Sequence, residues 1–82
     1  MRLSDLNAIL SSLGFMVQRG AKGNHHIVTH PALSASGTGF RASSFNGGHG
    51  PDPQILPVYI QILRRTIEMY EDFFLDEENG DE

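Results

Sequence analysis

Apolar residues recur at helical spacing near both ends of the chain. Near the start, their spacing predicts a helix over residues 4–13, with Ser4 as its N-terminal cap and Gly14 at its end. Toward the end, the same spacing predicts a second helix over residues 57–74, with Pro57 in its first turn. The apolar stripes are Leu6, Ile9, Leu10 and Leu13 in the first helix, and Ile60, Leu63, Ile67, Tyr70 and Phe74 in the second.

Three shorter stretches between these helices predict β-strands. A glycine-rich turn over residues 20–23 joins the first two strands, and Pro31 ends the second because proline cannot donate to a ladder. Residues 32–39 are small and polar and predict a loop. The strands are expected over residues 15–19, 24–30 and 40–45. The predicted fold class is therefore α+β in the order α-β-β-β-α, with a three-stranded antiparallel sheet, two helices on one face, and the other face open.

The chain is short and contains no cysteine. Its 82 residues fit one small domain and exclude a large multi-site enzyme. The lack of cysteine excludes a disulfide framework and a thiol nucleophile, and it fits a reducing compartment. No apolar run approaches the roughly 18 residues of a membrane span, and the N-terminus lacks the apolar core of a signal peptide. We therefore expect a soluble, cytoplasmic domain with no membrane partner.

The net charge of −4 is distributed unevenly along the chain. Residues 1–70 carry six basic and three acidic side chains, whereas residues 71–82 carry seven acidic side chains and no basic one. We expect a single domain over residues 1–75 and a disordered acidic tail over residues 76–82. This tail either solubilises the domain or lies over its basic surface and competes with a nucleic acid. Because the excess acid lies at the end of the chain, the net charge does not oppose an RNA partner.

The segment from Lys22 to Pro31 is the richest in chemical groups and holds three of the four histidines. Successive side chains of a strand point to opposite faces. His26, Val28 and His30 therefore share one face, and His25, Ile27 and Thr29 share the other. Val28 marks its own face as the inner one, which predicts structural roles for His26 and His30. His25 then points outward beside the glycine turn, where a neutral histidine can act as a general acid or base.

This segment, Lys-Gly-Asn-His-His-Ile-Val…His-Pro, resembles the Gly-Ser-His-His-x-Phe…His-Pro core of the HicA toxin family. A short first helix followed by Gly14 and Phe15 also fits that family, and the resemblance covers about residues 3–70. Asn24 stands where the family has Ser or Thr, and the C-terminal helix is longer. The resemblance implies a fold like the double-stranded RNA-binding domain and an mRNA-cleaving toxin that a HicB-like antitoxin holds inactive. It also implies that His25 is the catalytic histidine.

RNA supplies its own nucleophile for such a reaction, the 2′-hydroxyl. A neutral His25 would take the proton of that hydroxyl as it attacks the adjacent phosphorus, without a metal or cofactor. The products would be a 2′,3′-cyclic phosphate and a free 5′-hydroxyl. Residues beside the histidine and the basic side chains are expected to hold the RNA: Lys22, Gly23, Asn24, Arg41, Arg64 and Arg65. No general acid is assigned, because His49 would serve only if its loop folded back.

Two alternatives stay open from the sequence. The first is a non-catalytic RNA-binding or protein-interaction module of the same fold, which Asn24 and the acidic tail favour. The second is a metal-binding domain built from the four histidines. His25 and His26 point to opposite faces of one strand and no carboxylate lies nearby in sequence, so we expect no metal site.

The remaining motifs are interpreted as structural. Phe40 and Phe45 are expected in the core rather than in stacking on bases. The glycine-rich residues 46–50 lack the Gly-Lys-Ser/Thr ending of a phosphate-binding loop and predict a flexible connection. The apolar stripe of the second helix predicts core contacts, and its far end is a candidate surface for a partner. The acidic tail is a further candidate for docking an antitoxin.

Overall fold

The computed structural model describes residues 1–20 and 23–79 and has the α+β architecture expected from the sequence. Three strands form one antiparallel sheet in the order β1-β2-β3. Within the described residues, four helices accompany the sheet, two more than the sequence predicts. The elements are α1 (Leu3–Ser12), β1 (Met16–Arg19), β2 (His25–Thr29), α2 (Pro31–Ala35), β3 (Ser43–Asn46), α3 (Pro57–Met69) and α4 (Glu71–Asn79).

The register of the sheet places each strand residue on a defined face. Val17 pairs with Val28 across β1 and β2, and His26 pairs with Phe45 across β2 and β3. Paired residues of antiparallel strands share a face. These four side chains therefore lie on the face that contains buried Val28 and Phe45, which we call the inner face. The expected inward direction of His26 and Val28 is confirmed.

The hydrophobic core lies between the inner face of the sheet and the helices. Its buried members come from α1, α2 and α3, from the sheet and from the connections between elements. They are Leu6, Leu10, Phe15, Val28, Leu33, Phe40, Phe45, Ile55 and Leu63. Phe40 and Phe45 are thus core residues, as expected. The opposite, outer face exposes Met16 and Ile27, and it also carries His25.

The first helix begins one residue earlier than expected, and its first turn is capped by Asp52, a residue far away in the sequence. The Ser4 backbone N–H donates to Oδ1 of Asp52, and the Ser4 hydroxyl donates to Oδ2 of the same residue, both at 2.9 Å. These two hydrogen bonds lower the pKa of Asp52. The prediction that Ser4 itself is the N-terminal cap is therefore wrong. A carboxylate of the connection between β3 and α3 satisfies the first turn of α1 instead.

A short helix, α2, occupies much of the stretch predicted as a loop over residues 32–39. Pro31 takes its first position, and the side chain of His30 caps it by accepting a hydrogen bond from the Leu33 N–H at 3.0 Å. The sequence did not predict this helix because histidine is not among the usual capping residues. The third strand also begins later than expected, at Ser43, although Phe40 ahead of it is buried.

The predicted helix over residues 57–74 is two helices, α3 and α4, which meet at Tyr70. The break lets α4 turn its first apolar residues onto the core. Phe74 lies 5.7 Å from Phe15, and Phe73 lies 5.6 Å from His30, measured between ring centroids. α4 extends to Asn79, so residues 76–79 of the expected disordered tail are helical.

Residues 80–82 of that tail lie outside the described part of the chain. Within the described residues, no helix combines the length and apolar character needed to cross a membrane.

Candidate active site

The candidate site is a chain of three polar side chains at the end of the sheet where β2 begins. Nδ1 of His25 lies 3.1 Å from Oδ1 of Asn46, and Nδ2 of Asn46 donates to the Tyr59 hydroxyl at 3.0 Å. His25 and Asn46 are direct partners across β2 and β3, so both lie on the outer face. Tyr59 comes from the first turn of α3. Three elements of the fold therefore converge on one histidine.

The surroundings of the His25 ring leave one nitrogen available for chemistry. His25 is exposed, and Nδ1 makes the contact with Asn46. Among the described residues, Nε2 has no hydrogen-bond partner. A ring with one nitrogen held and the other open to solvent is the arrangement that a general base needs.

The backbone around His25 is held by two glycines that approach it closely. The Gly20 N–H donates to the His25 carbonyl at 2.7 Å. A β-carbon at Gly20 would lie 3.2 Å from both that carbonyl oxygen and Cδ2 of the ring, so the strand end fits against a residue without a side chain. On the other side, the Gly47 N–H donates to the Asn24 carbonyl at 2.8 Å, and the Asn24 side chain donates back to the Gly47 carbonyl. This pair joins the beginning of β2 to the end of β3.

His26 lies beside His25 in sequence but on the inner face. Its ring stacks on Phe45 with centroids 4.9 Å apart and planes inclined by 13°. Burial lowers the pKa of His26, and the charges of Arg19 and His25 lower it further. A β-carbon at Gly47 would lie 2.9 Å from its Nε2, which accounts for the glycine there. His26 is therefore a packed, neutral neighbour of the site, as expected.

His30, at the other end of β2, is a structural residue, as the sequence predicts. It is 4% exposed, and both of its ring nitrogens have backbone partners. Nδ1 accepts from the Leu33 N–H at 3.0 Å, so the hydrogen is on Nε2, which donates to the Leu13 carbonyl at 2.9 Å. With both nitrogens engaged, His30 is closed to a substrate.

The predicted RNA-binding residues divide into those near His25 and those apart from it. Gly23 and Asn24 immediately precede it, and Gly23 adopts a positive φ of 58° in the turn. Lys22 lies outside the described residues. Arg41, Arg64 and Arg65 are exposed, and none of the three forms a hydrogen bond with His25 or Asn46.

The two arginines of α3 lie five and six residues beyond Tyr59, about 8–9 Å further along the helix axis. Arg64 also donates to Glu68 at 3.0 Å, in an ion pair that both residues expose to solvent. Such a pair contributes little to stability, and its arginine can exchange the carboxylate for a phosphate. His49 would be the general acid only if its loop folded back toward His25. It is exposed in the connection between β3 and α3.

The sequence did not predict three residues near the site, namely Asn46, Tyr59 and Arg19. Asn46 and Tyr59 carried no motif, because their contact with His25 depends on the register of β3 and on the position of α3. Arg19 is the third. It pairs with His26 across β1 and β2, and its Nε donates to the Gly23 carbonyl at 3.1 Å, which brings a cation to the turn before His25. The sequence could have indicated this contact, because Arg19 lies four residues before Gly23, at the end of a strand that enters a tight turn.

A metal site finds no support in the geometry of the histidines. His25 and His26 lie on opposite faces of the sheet, and His30 uses both nitrogens on the backbone. Among the described residues, no group of three or more potential ligands is placed to hold a metal ion.

Comparisons with known proteins give no neighbour for this chain: no family model, no curated protein and no solved structure matches it.

Proposed function

We propose that this protein is a metal-independent endoribonuclease in which His25 is the general base. The observation that carries the proposal is the state of this one ring. It is exposed and held at Nδ1 by Asn46, and Nε2 has no hydrogen-bond partner within residues 1–20 and 23–79. The two other histidines of the segment are packed into the fold, so they do not compete for this role.

The reaction follows from the chemistry of RNA. Nε2 of His25 takes the proton of a 2′-hydroxyl, the 2′-oxygen bonds to the adjacent phosphorus, and the bond from phosphorus to the 5′-oxygen breaks. The 5′-oxygen takes a proton from solvent, and His25 returns its own proton to solvent. The products are a 2′,3′-cyclic phosphate and a 5′-hydroxyl, and no water is consumed in the cleavage. Lys22, three residues before the histidine in sequence, is the cation proposed to stabilise the phosphate charge. Arg19, which pairs with His26 and binds the Gly23 carbonyl, is a second candidate.

The wider proposal is a HicA-like toxin of a toxin–antitoxin system. The element order is the expected α-β-β-β-α with the short helix α2 added between β2 and β3 and the last helix divided in two. With the antiparallel sheet, it supports the proposal of a fold of the double-stranded RNA-binding type. The proposed substrate is mRNA in the cytoplasm. A HicB-like antitoxin is the proposed protein partner. Exposed apolar side chains on α3, namely Val58, Ile62 and Met69, supply a surface of the kind that protein partners cover.

The test is expression of the parent chain and of His25→Ala in a bacterial host, with the purified proteins incubated with RNA in parallel. We expect the parent to arrest growth and to cleave RNA, and His25→Ala to do neither. Gln18→Ala is a matched control, because Gln18 is an exposed polar residue on the same outer face. If His25→Ala cleaved RNA as fast as the parent, the assignment of the base would be wrong.

The second candidate function is a non-catalytic RNA-binding or protein-interaction module. It is favoured by the acidic first turn of α4, which contains Glu71 and Asp72, and by the pairing of Arg64 with Glu68, since both weaken attraction to RNA phosphates. A parent protein that binds RNA without cleaving it and does not slow growth would select this function.

A further inference from the structure

We propose that Asn46 is a positioning residue for His25, and that Tyr59 anchors it. Asn46 would hold the His25 ring in the form that carries its hydrogen on Nδ1, which leaves the lone pair on Nε2. The geometric part of this inference concerns the free protein, and its consequence for catalysis rests on the proposed ribonuclease function.

The hydrogen bond itself defines the direction of the effect. Oδ1 of Asn46 is a carbonyl oxygen and can only accept, so the nitrogen 3.1 Å away must donate. A neutral imidazole has one N–H, and placing it on Nδ1 makes Nε2 the basic nitrogen. A neutral histidine free in water favours the opposite form, with the hydrogen on Nε2. The asparagine would therefore shift the ring toward the form that can take a proton at its exposed nitrogen.

Tyr59 holds the other end of the Asn46 amide. The side-chain amide of Asn46 has a donor end and an acceptor end, and a rotation by half a turn would exchange them. In the structure Nδ2 donates to the Tyr59 hydroxyl at 3.0 Å and Oδ1 faces the histidine. A tyrosine hydroxyl can also donate, so the direction of the amide is tested by the ring-nitrogen measurement below. Tyr59 is half-buried and packs against the core, so the anchor belongs to a rigid element.

The pairing of the backbone strands positions His25 and Asn46 beside each other. His25 and Asn46 are paired residues of adjacent strands, so their side chains stand side by side on the outer face. The hydrogen bonds between Asn24 and Gly47 close the same end of the ladder one residue further on. The ring and its partner therefore do not depend on a mobile loop for their alignment.

The first measurement is the hydrogen position on the His25 ring, read from the ¹⁵N chemical shifts of the two ring nitrogens in the purified protein above pH 8. We expect the hydrogen on Nδ1 in the parent and mainly on Nε2 in Asn46→Leu. Ser44→Leu is the matched control, because Ser44 is an exposed residue of the same strand and face, and it should keep the parent pattern. Asn46→Ala takes the place of Asn46→Leu if the latter does not fold.

The second measurement is the rate of RNA cleavage. We expect Asn46→Leu to lower kcat by about 10- to 100-fold, part of the 10²–10⁴ that a positioned general base contributes, with a much smaller change in KM. Asn46→Asp keeps an acceptor beside Nδ1 and adds a negative charge. It should retain more activity than Asn46→Leu and move the acidic limb of the pH–rate profile to higher pH, because the carboxylate favours the protonated ring.

Tyr59→Phe tests the anchor. It removes the hydroxyl that accepts from Asn46 and should lower kcat by less than Asn46→Leu does. Tyr70→Phe is its control, because Tyr70 is another half-buried tyrosine, packed on Phe40.

The outcomes separate this inference from the proposed function. A parent ring with its hydrogen on Nε2, or an Asn46→Leu variant with unchanged ring shifts, overturns the positioning role whatever the activity. If His25→Ala is inactive and Asn46→Leu retains the parent kcat and pH profile, the ribonuclease stands and the role of Asn46 falls. If no variant or parent cleaves RNA, the ring shifts still decide whether Asn46 holds the histidine.

Discussion

Strand β2 begins at His25 and is followed directly by His30, and the surroundings of these two rings differ. His30, at the end of the strand, is buried and bonded at both nitrogens to backbone groups. His25, at its beginning, is exposed and bonded at one nitrogen to a side chain. The hydrogen lies on Nε2 in His30 and faces Asn46 from Nδ1 in His25. One ring therefore has no capacity left for a substrate, and the other keeps its basic nitrogen in solvent.

The packing around the two histidine rings also differs. Phe15, Phe73 and Phe74 surround His30 with ring centroids between 4.8 and 5.8 Å from it. On the outer face, His25 and its neighbours Asn46 and Ile27 are exposed. Each ring nevertheless lies against a glycine, Gly14 beside His30 and Gly20 beside His25. A close glycine therefore accompanies both rings, and the two rings differ in exposure.

The greatest loss of stability is expected from a substitution of His30. His30→Ala leaves the Leu33 N–H and the Leu13 carbonyl without their partner and opens a cavity among the aromatic rings. Each unsatisfied buried group costs about 1–3 kcal/mol, so the free energy of unfolding should fall by roughly 2–5 kcal/mol. Urea denaturation measures it. His25→Ala should stay within about 0.5 kcal/mol of the parent, and similar losses for both variants would show that the two ends do not differ.

Substitution of the two glycines should lower the unfolding free energy by smaller and unequal amounts. Gly14 has a φ of 90°, and a β-carbon there would lie 2.8 Å from Nε2 of His30. Gly14→Ala should therefore cost more than about 1 kcal/mol of unfolding free energy. Gly20 does not have a positive φ and has a looser approach of 3.2 Å to His25, so Gly20→Ala should cost less. A larger loss for Gly20→Ala than for Gly14→Ala in thermal unfolding would contradict this ranking.

The smallest expected effect is the pH dependence that His26 gives to stability. Its pKa in the folded protein is lowered, so the unfolded chain binds the proton first as the pH falls. Stability from the neutral ring is complete above the ordinary value of about 6.5 and declines as the pH falls from there toward the lower folded pKa. His26→Phe keeps a planar ring on Phe45 and cannot titrate, so its unfolding free energy should change less between pH 7.5 and pH 5.5. Equal pH slopes for parent and variant would contradict the account.

The sequence predicted the parts of this fold that depend on local periodicity. Alternation along residues 25–30 assigned the inward and outward side chains of β2, and this assignment separates His25 from His26. Helical spacing located α1 and α3, and the apolar aromatics Phe40 and Phe45 were correctly assigned to the core. These features need only the neighbours of each residue in the chain.

The features that the sequence did not predict depend on residues far apart in the chain. Asp52 lies 48 residues after Ser4 in sequence and accepts the hydrogen bond of the Ser4 N–H in the first turn of α1. The side chain of His30 caps α2, although histidine is an uncommon N-terminal cap. The partner of His25 required the register of β3, because a shift of one residue would turn Asn46 away from the outer face. The break at Tyr70 follows from packing of Phe73 and Phe74 on the His30 end, which helical periodicity alone does not reveal.

The chemical identity of the cleaved RNA ends shows whether His25 acts on the 2′-hydroxyl. A defined RNA oligonucleotide is incubated with the purified parent protein in the presence of EDTA, and the products are identified by mass spectrometry. A base that acts on the 2′-hydroxyl gives fragments ending in a 2′,3′-cyclic phosphate and beginning with a 5′-hydroxyl, and these should disappear with His25→Ala. Fragments with 5′-phosphate and 3′-hydroxyl ends, or cyclic phosphate ends formed equally well by His25→Ala, would contradict the account.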